Sequence, residues 1–352
     1  ASSPSGFEGF GALTQGAESS PTGFTEYRVN SLDDSGAGTL RDALSAGNRY
    51  IVFDVAGSIT LLSNLDIRYS YITLDGASAP APGITIHQPA GIGTSISGHS
   101  SSGTTHDIII HHLRMLGPGG HDNTSNDIWG MDGEAAAVYN VCIDHLSASG
   151  SNDGVFDIWG EVHDVSISWN LITDTMTALH LSTAAGSGLR RSRISFHHNV
   201  FAGNNERQIK IRHDNQLIDF VNNVIYGWGW FEPGATGLHI QYDAGEVNPS
   251  INVVANVFHH VSGISGAPDD AIIFDPGLDQ GAVYFSGNIV PMGETDAGLS
   301  TTASPLAIPA EAKVQTIAAA ALGENVVPIT GTHFPTSEEQ ALLAGIRAAL
   351  AQ

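Results

Sequence analysis

Lysine is almost missing from this chain of 352 residues, and only Lys210 and Lys313 carry an ammonium group. The 13 cations face 36 acids, for a formal net charge of −23. A nucleic-acid binder needs an excess of Lys and Arg to neutralise phosphates, so that class is excluded. Charged residues are only 14 % of the chain and apolar residues 41 %, so disorder through charge is excluded as well. Cysteine is equally scarce: Cys142 stands alone, which rules out an internal disulfide and any CxxC metal or redox motif. Apolar runs are short, with Ile317 to Leu322 typical of the longest, far from the roughly 18 residues of a membrane span. The chain opens Ala1-Ser2-Ser3 without Met, as expected of a mature secreted protein whose leader has been removed. An acidic, lysine-poor surface suits a soluble exported monomer.

A repeat is what the chain does have. A short β-branched run, an Asn and a further apolar residue recur around Asn170, Asn199, Asn223, Asn256 and Asn288. Two earlier copies, Ile110 to Leu113 and Ile143 to Leu146, carry His112 and His145 in the Asn place. Intervals of 24 to 33 residues indicate a solenoid with loops of unequal length. Each copy alternates apolar and polar residues and is broken by Gly, Asn or Asp, which is strand signal. The chain is therefore expected to be all-β: a single-domain parallel β-helix whose stacked Asn amides bond from coil to coil. A β-propeller, the alternative, needs regular blades of about 40 to 45 residues.

The ends depart from the repeat. Thr39 and Asp42 read as the N-cap and an early acid of a short helix that closes the first coil. Residues 1–300 form the β-helix with this cap. Residues 301–352 form an extension whose helix, capped at Thr336, carries Leu342, Leu343, Ile346 and Leu350 on one side as a C-terminal cap.

The stretches Gly6 to Gly11, Ser35 to Arg41, Ile51 to Ile59 and Ile72 to Pro80 are followed in order by Ile143-Asp144-His145, Asp153 to Asp157 and Phe196 to Asn199. Arg207 and Arg212 stand five apart, and Val221 to Tyr226 follows. Together these resemble the secreted pectate lyases of polysaccharide lyase family 1. The resemblance covers residues 6 to 290. It implies a right-handed parallel β-helix that cleaves an acidic polysaccharide, polygalacturonate, by Ca²⁺-assisted β-elimination. On the same resemblance Asp153 and Asp157 are calcium acids, Arg207 abstracts the proton and Arg212 holds the substrate carboxylate. The third calcium acid falls at Met131 in the family's spacing, so Asp132 is favoured and Asp127 is next. The family's Pro two places after the first arginine is Ile209 here, and its substrate-binding Lys aligns with Met176. His180 and Arg190 are the candidates in its stead, and Lys210 is a further substrate-binding candidate.

These residues suit the chemistry. Removing a proton beside a carboxylate builds negative charge, which a hard cation with oxygen ligands neutralises. In an alternating strand i and i+4 share a side, so Asp153 and Asp157 can converge; two solvated loop acids are the alternative. Arginine is an awkward base, since its ordinary pKa exceeds about 12, and an alkaline rate optimum follows. Arg212 has the alternative of an ion pair with Glu206 or Asp214. Trp159, Trp169, Trp228 and Trp230 are candidate sugar-stacking faces, with Trp169 equally suited to packing between coils. His145, His197 and His198 are expected in the bends, and His121 and the His111–His112 pair lack zinc-ligand spacing. A β-helix glycoside hydrolase would need a carboxylate pair and leave the arginines without a role. A lyase on another polyuronate or on pectin, and a non-catalytic carbohydrate-binding β-helix, are the other rivals. Six of the thirteen cations fall between Arg190 and Arg212, where Glu206 is the single acid, so one basic strip accompanies an acidic body.

Overall fold

The computed structural model describes residues 6–120, 127–230, 234–267, 270–275, 283–291 and 304–352. His121 lies outside them. The strands stack in parallel register into a sheet of 16 strands and a sheet of 8. The larger sheet is two walls of a prism, because the long strands Trp129–Asp144 and Gly154–Ser168 run along both and shift register between Gly133 and Val138. The first wall continues through Thr177–Ser182, Arg207–Ile211 and Thr236–Ile240. The second continues through Arg191–His197, Asn215–Val221 and Ile251–Val254. The third wall is the 8-stranded sheet, with Ser147–Ser149, Leu171–Thr173, Val200–Asn204 and Val224–Trp228 among its strands. This is the expected right-handed parallel β-helix, the hand that parallel connections adopt.

Stacking makes the core. Ile110, Ile143, Ile167, Phe196, Phe220 and Val253 align in one row of the second wall, and all six are fully buried. Between the second and third walls every coil turns through a left-handed residue followed by the repeat position. Trp169, His198, Asn222 and Ala255 have φ of 56°, 57°, 56° and 53°, and Asn170, Asn199, Asn223 and Asn256 come next. The Asn amides form the ladder: Asn170 donates to Asn199 at 2.9 Å, Asn199 to Asn223 at 2.9 Å, Asn223 to Asn256 at 3.1 Å, and Asn256 to Asn288 at 2.9 Å. Buried amides demand such partners, and each bond contributes about 1 kcal/mol net.

The two early copies sit one residue differently from expectation. His112 and His145 occupy the left-handed position, and Leu113 and Leu146 the Asn place. The rings instead make a second ladder outside the first: His112 stacks on His145 at 4.8 Å, His145 on Trp169 at 5.8 Å, and Trp169 on His198 at 4.3 Å. Imidazole and indole suit this place because they are flat and repeat at the coil spacing of about 4.8 Å.

The Thr39 hydroxyl accepts from the Asp42 amide and caps the helix Leu40–Ala43, whose Leu40 and Ala43 join the core of the first coil. The helix Ser337–Leu350 starts with a reciprocal capping box between Thr336 and Glu339. It caps the outward face of the third wall. Leu343 and Ile346 pack on Leu171, Val200 and Val224, the outward side chains of the third wall, and Glu339 pairs with Arg114 at 2.9 Å. Among the described residues no helix is long and apolar enough to cross a membrane.

Candidate active site

The outward face of the first wall carries the chemistry. Parallel register sets Asp157, His180, Lys210 and His239 side by side on neighbouring coils. A second row holds Gly154, Thr177, Arg207 and Thr236, and a third holds Ser97, Asp132, Trp159 and Ser182. Neighbours in a row stand about 4.8 Å apart, so residues 23 to 35 apart in sequence become adjacent.

Asp127, Asp153 and Asp157 converge. Burial raises the Asp127 carboxyl well above its ordinary value, and the charges of Asp157 and Asp153 raise it further. Asp153 is raised by burial and then by Asp157, while Arg207 and His180 draw it down. One carboxylate oxygen of Asp127 and one of Asp157 are buried with no hydrogen-bond donor among the described residues. Gly154 makes room for them, since a Cβ there would stand 2.2 Å from Asp127 Oδ1. Three mutually repelling carboxylates with orphaned oxygens fit a hard divalent cation. The convergence does not come from strand alternation. Val155 points into the core, and Asp153 lies in the turn before the strand, where its amide donates to Ser151 Oγ.

The acid that converges with Asp153 and Asp157 is Asp127, the second of the two candidates. Asp132 is exposed one row further out, and its carboxylate accepts from the Glu134 amide at 2.9 Å. It lines a cleft of about 470 Å³ with Asp66, Asp127, Asp157 and Trp159.

Cations lie two strands along the same wall from the acids. Arg207 pairs with Glu206 at 2.9 Å and Arg212 with Asp243 at 2.8 Å, so neither Glu206 nor Asp214 is the partner of Arg212. Lys210 lies between them, and burial together with both guanidinium charges lowers its pKa. His180 Nδ1 is 3.7 Å from Asp157 Oδ1. Met176, in the family's lysine place, is buried and accepts from Asn205. An ammonium nevertheless lies on this face, at Lys210 on the next coil, in register with His180. Ile209, in the family's Pro place, points into the core.

The basic strip is not one surface. Arg190 is exposed at the end of the loop after Thr177–Ser182, away from the strand rows. Arg191 is fully buried and donates to the carbonyls of Gly160 and His213 and to Asn215. Arg193 pairs with Asp164. Of the six cations only Arg207, Lys210 and Arg212 share the first wall. Trp228 is buried, Trp169 is held in the ring ladder, Trp230 is exposed beside Gly203 of the third wall, and Trp159 is the candidate indole on the first wall. Asp243 had no sequence signal, because it lies 31 residues beyond the arginine it orients.

No family profile matches the chain. A probable pectate lyase C from Aspergillus flavus is 33 % identical over 287 residues, covering 80 % of this chain and 59 % of the relative. The chain thus spans about three fifths of the length of the curated relatives it matches. Among solved structures, the major cedar pollen allergen superposes with a TM-score of 0.68 at 18 % identity, covering 93 % of each chain. A pectate lyase from a Bacillus species, in complex with trigalacturonate, superposes with a TM-score of 0.54 at 18 % identity over 90 % of this chain and 98 % of its own. The sequence relationship across four fifths of the chain and the shared coil architecture place it in the pectate lyase-like family of parallel β-helix proteins.

Proposed function

We propose that the chain is a secreted, calcium-dependent lyase that cleaves polygalacturonate by β-elimination. The observation that carries this reading is the convergence of the Asp127, Asp153 and Asp157 carboxylates, with Arg207 close enough for its charge to act on Asp153. Asp127, Asp153 and Asp157 hold the calcium, which when bound sets a hard positive charge against a substrate carboxylate. Arg212, aimed by Asp243, and Lys210 bind uronate carboxylates of the polymer, and Trp159 offers a face to a sugar ring. His180, beside Asp157 and Lys210, lines the same groove.

Arg207 takes the C5 proton of the uronate. The C5–H pair becomes the C4–C5 double bond, the C4–O bond breaks, and the departing oxygen takes a proton from water. Proton transfer requires the neutral guanidine, so the rate climbs toward alkaline pH.

The test is growth of the ultraviolet absorbance of an unsaturated product from polygalacturonate, with Ca²⁺ and with chelator. Absorbance that grows with Ca²⁺ and stops with chelator is expected. Reducing ends released without an unsaturated product would overturn elimination, and an inert protein would favour a binding module.

A further inference from the structure

A second cluster of ligand-type side chains lies on the corner between the second and third walls, away from the first wall. The segment from Glu8 to Leu13 is laid across the outside of the second wall. Gly11 N donates to Ser166 Oγ at 2.9 Å, Phe10 N to Ser195 Oγ at 3.2 Å, and Ser166 Oγ to the Glu8 carbonyl at 2.7 Å. Gly9 and Gly11 permit this approach, because a Cβ on either would stand 2.4 Å from Ser166 Oγ or 2.2 Å from the Val141 carbonyl. The strap thereby carries Glu8 to His197 and His198, whose ligand atoms and its own all lie within 4.8 Å of one another.

The two imidazoles are oriented for a shared partner. His197 Nε2 faces the Glu8 carbonyl oxygen at 3.2 Å. A carbonyl only accepts, so Nε2 carries the proton and Nδ1 of the neutral ring presents its lone pair. That Nδ1 is 3.0 Å from Nδ1 of His198. A backbone carbonyl fixing the far nitrogen is the arrangement that aims a metal-binding histidine. The His198 ring is clamped flat on Trp169, with an interplanar angle of 9°. Burial keeps both rings neutral, lowering His197 to about 4 and His198 to about 3. Asp144 adds negative charge beside them, and the group opens on a cavity of about 600 Å³.

We propose that Glu8, His197 and His198 form a site for a divalent transition-metal ion of the zinc type. Two imidazole nitrogens and one carboxylate oxygen would bind it, with a fourth position open to the cavity. Nitrogen ligands select such an ion over calcium, which takes oxygen ligands. Because Glu8 is 189 residues from His197, the ion would also fasten the strap to the coils and raise the unfolding temperature by mass action.

The experiment is titration of the whole chain with Zn²⁺ in excess Ca²⁺, followed by calorimetry and by thermal unfolding. One equivalent of Zn²⁺ is expected, bound at least about tenfold more weakly by Glu8→Gln and by His198→Gln, with a Zn²⁺-dependent rise in unfolding temperature lost in both. Co²⁺ in place of Zn²⁺ should give visible bands that vanish in the same variants. Asp153→Asn, on the first wall, should keep the Zn²⁺ equivalent. Displacement of Zn²⁺ by Ca²⁺, equal binding in wild type and variants, or no binding by a folded wild type would each overturn the site. The last result would leave His197 and His198 as a hydrogen-bonded pair. Circular dichroism of each variant separates lost binding from lost fold.

Discussion

Asp243 accepts a hydrogen bond from the guanidinium of Arg212 at 2.8 Å, and Gln241 donates to the same carboxylate oxygen at 2.8 Å. That contact holds the Asp243 carboxyl below its ordinary range against the opposing effect of burial. Arg212 is therefore presented to the groove in one orientation. Asp243→Ala should raise KM for polygalacturonate about tenfold, or ~1.4 kcal/mol, with a smaller change in kcat. Equal losses in kcat and kcat/KM would show a role beyond binding.

Arg207 bears on kcat. Arg207→Ala should lower kcat by about 10²- to 10⁴-fold, the range for removing a positioned acid or base, with KM little changed. The residual rate should lose the alkaline rise of the wild type. A wild-type maximum near about pH 5 would remove Arg207 from the role of base.

The two rival acids separate by substitution. Asp127→Asn should raise the Ca²⁺ concentration for half-maximal rate by about 10²-fold, and Asp132→Asn should leave it within about threefold. The comparison is read from rate against free Ca²⁺ in a buffered series. The reverse order would return the third ligand to Asp132.

Asp219 provides a pH test of stability away from the groove. Burial pushes it up to about 6, and Asn252 donates to it at 3.1 Å. Between its ordinary value near 4 and about 6 the folded chain keeps a proton that the unfolded chain has lost. Stability therefore falls as pH rises through that window and stays lower above it. Asp219→Asn removes the buried charge and should raise the unfolding free energy by about 2 kcal/mol at pH 8 and by nothing measurable near about pH 3. Denaturant melts at the two pH values check it.

The Asn ladder should be least tolerant at its centre. Asn223 accepts from the backbone and side chain of Asn199 and donates to the Phe196 carbonyl and to Asn256. Asn223→Leu strands buried groups on both sides and should cost about 3 kcal/mol. Asn288→Leu, in a half-buried copy bonded to Asn256, should cost about 1 kcal/mol. Thermal melts of the two variants give the ranking.

Much of this molecule is local and repeated, and that part is legible in the sequence. The Asn residues recur at 24 to 33 residues because each coil needs one amide at the same bend, so the repeat alone specifies a β-helix. Asp157, Arg207 and Arg212 come from the family resemblance, and each sits on or beside a strand of the first wall. The bend itself blurred by one residue, because His145 and Leu146 break the Asn pattern and ring stacking leaves no spacing of its own. Contacts between coils are another matter. Loop lengths differ from turn to turn, so no count along the chain shows that Asp127 faces Asp157, that Asp243 meets Arg212, or that Lys210 stands beside His180 on the next coil. The six clustered cations look like one surface in sequence, yet burial takes Arg191 and pairing takes Arg193. Sequence determined which residues sit on strands and bends; stacking alone decided which of them touch, because adjacency across coils depends on every loop in between.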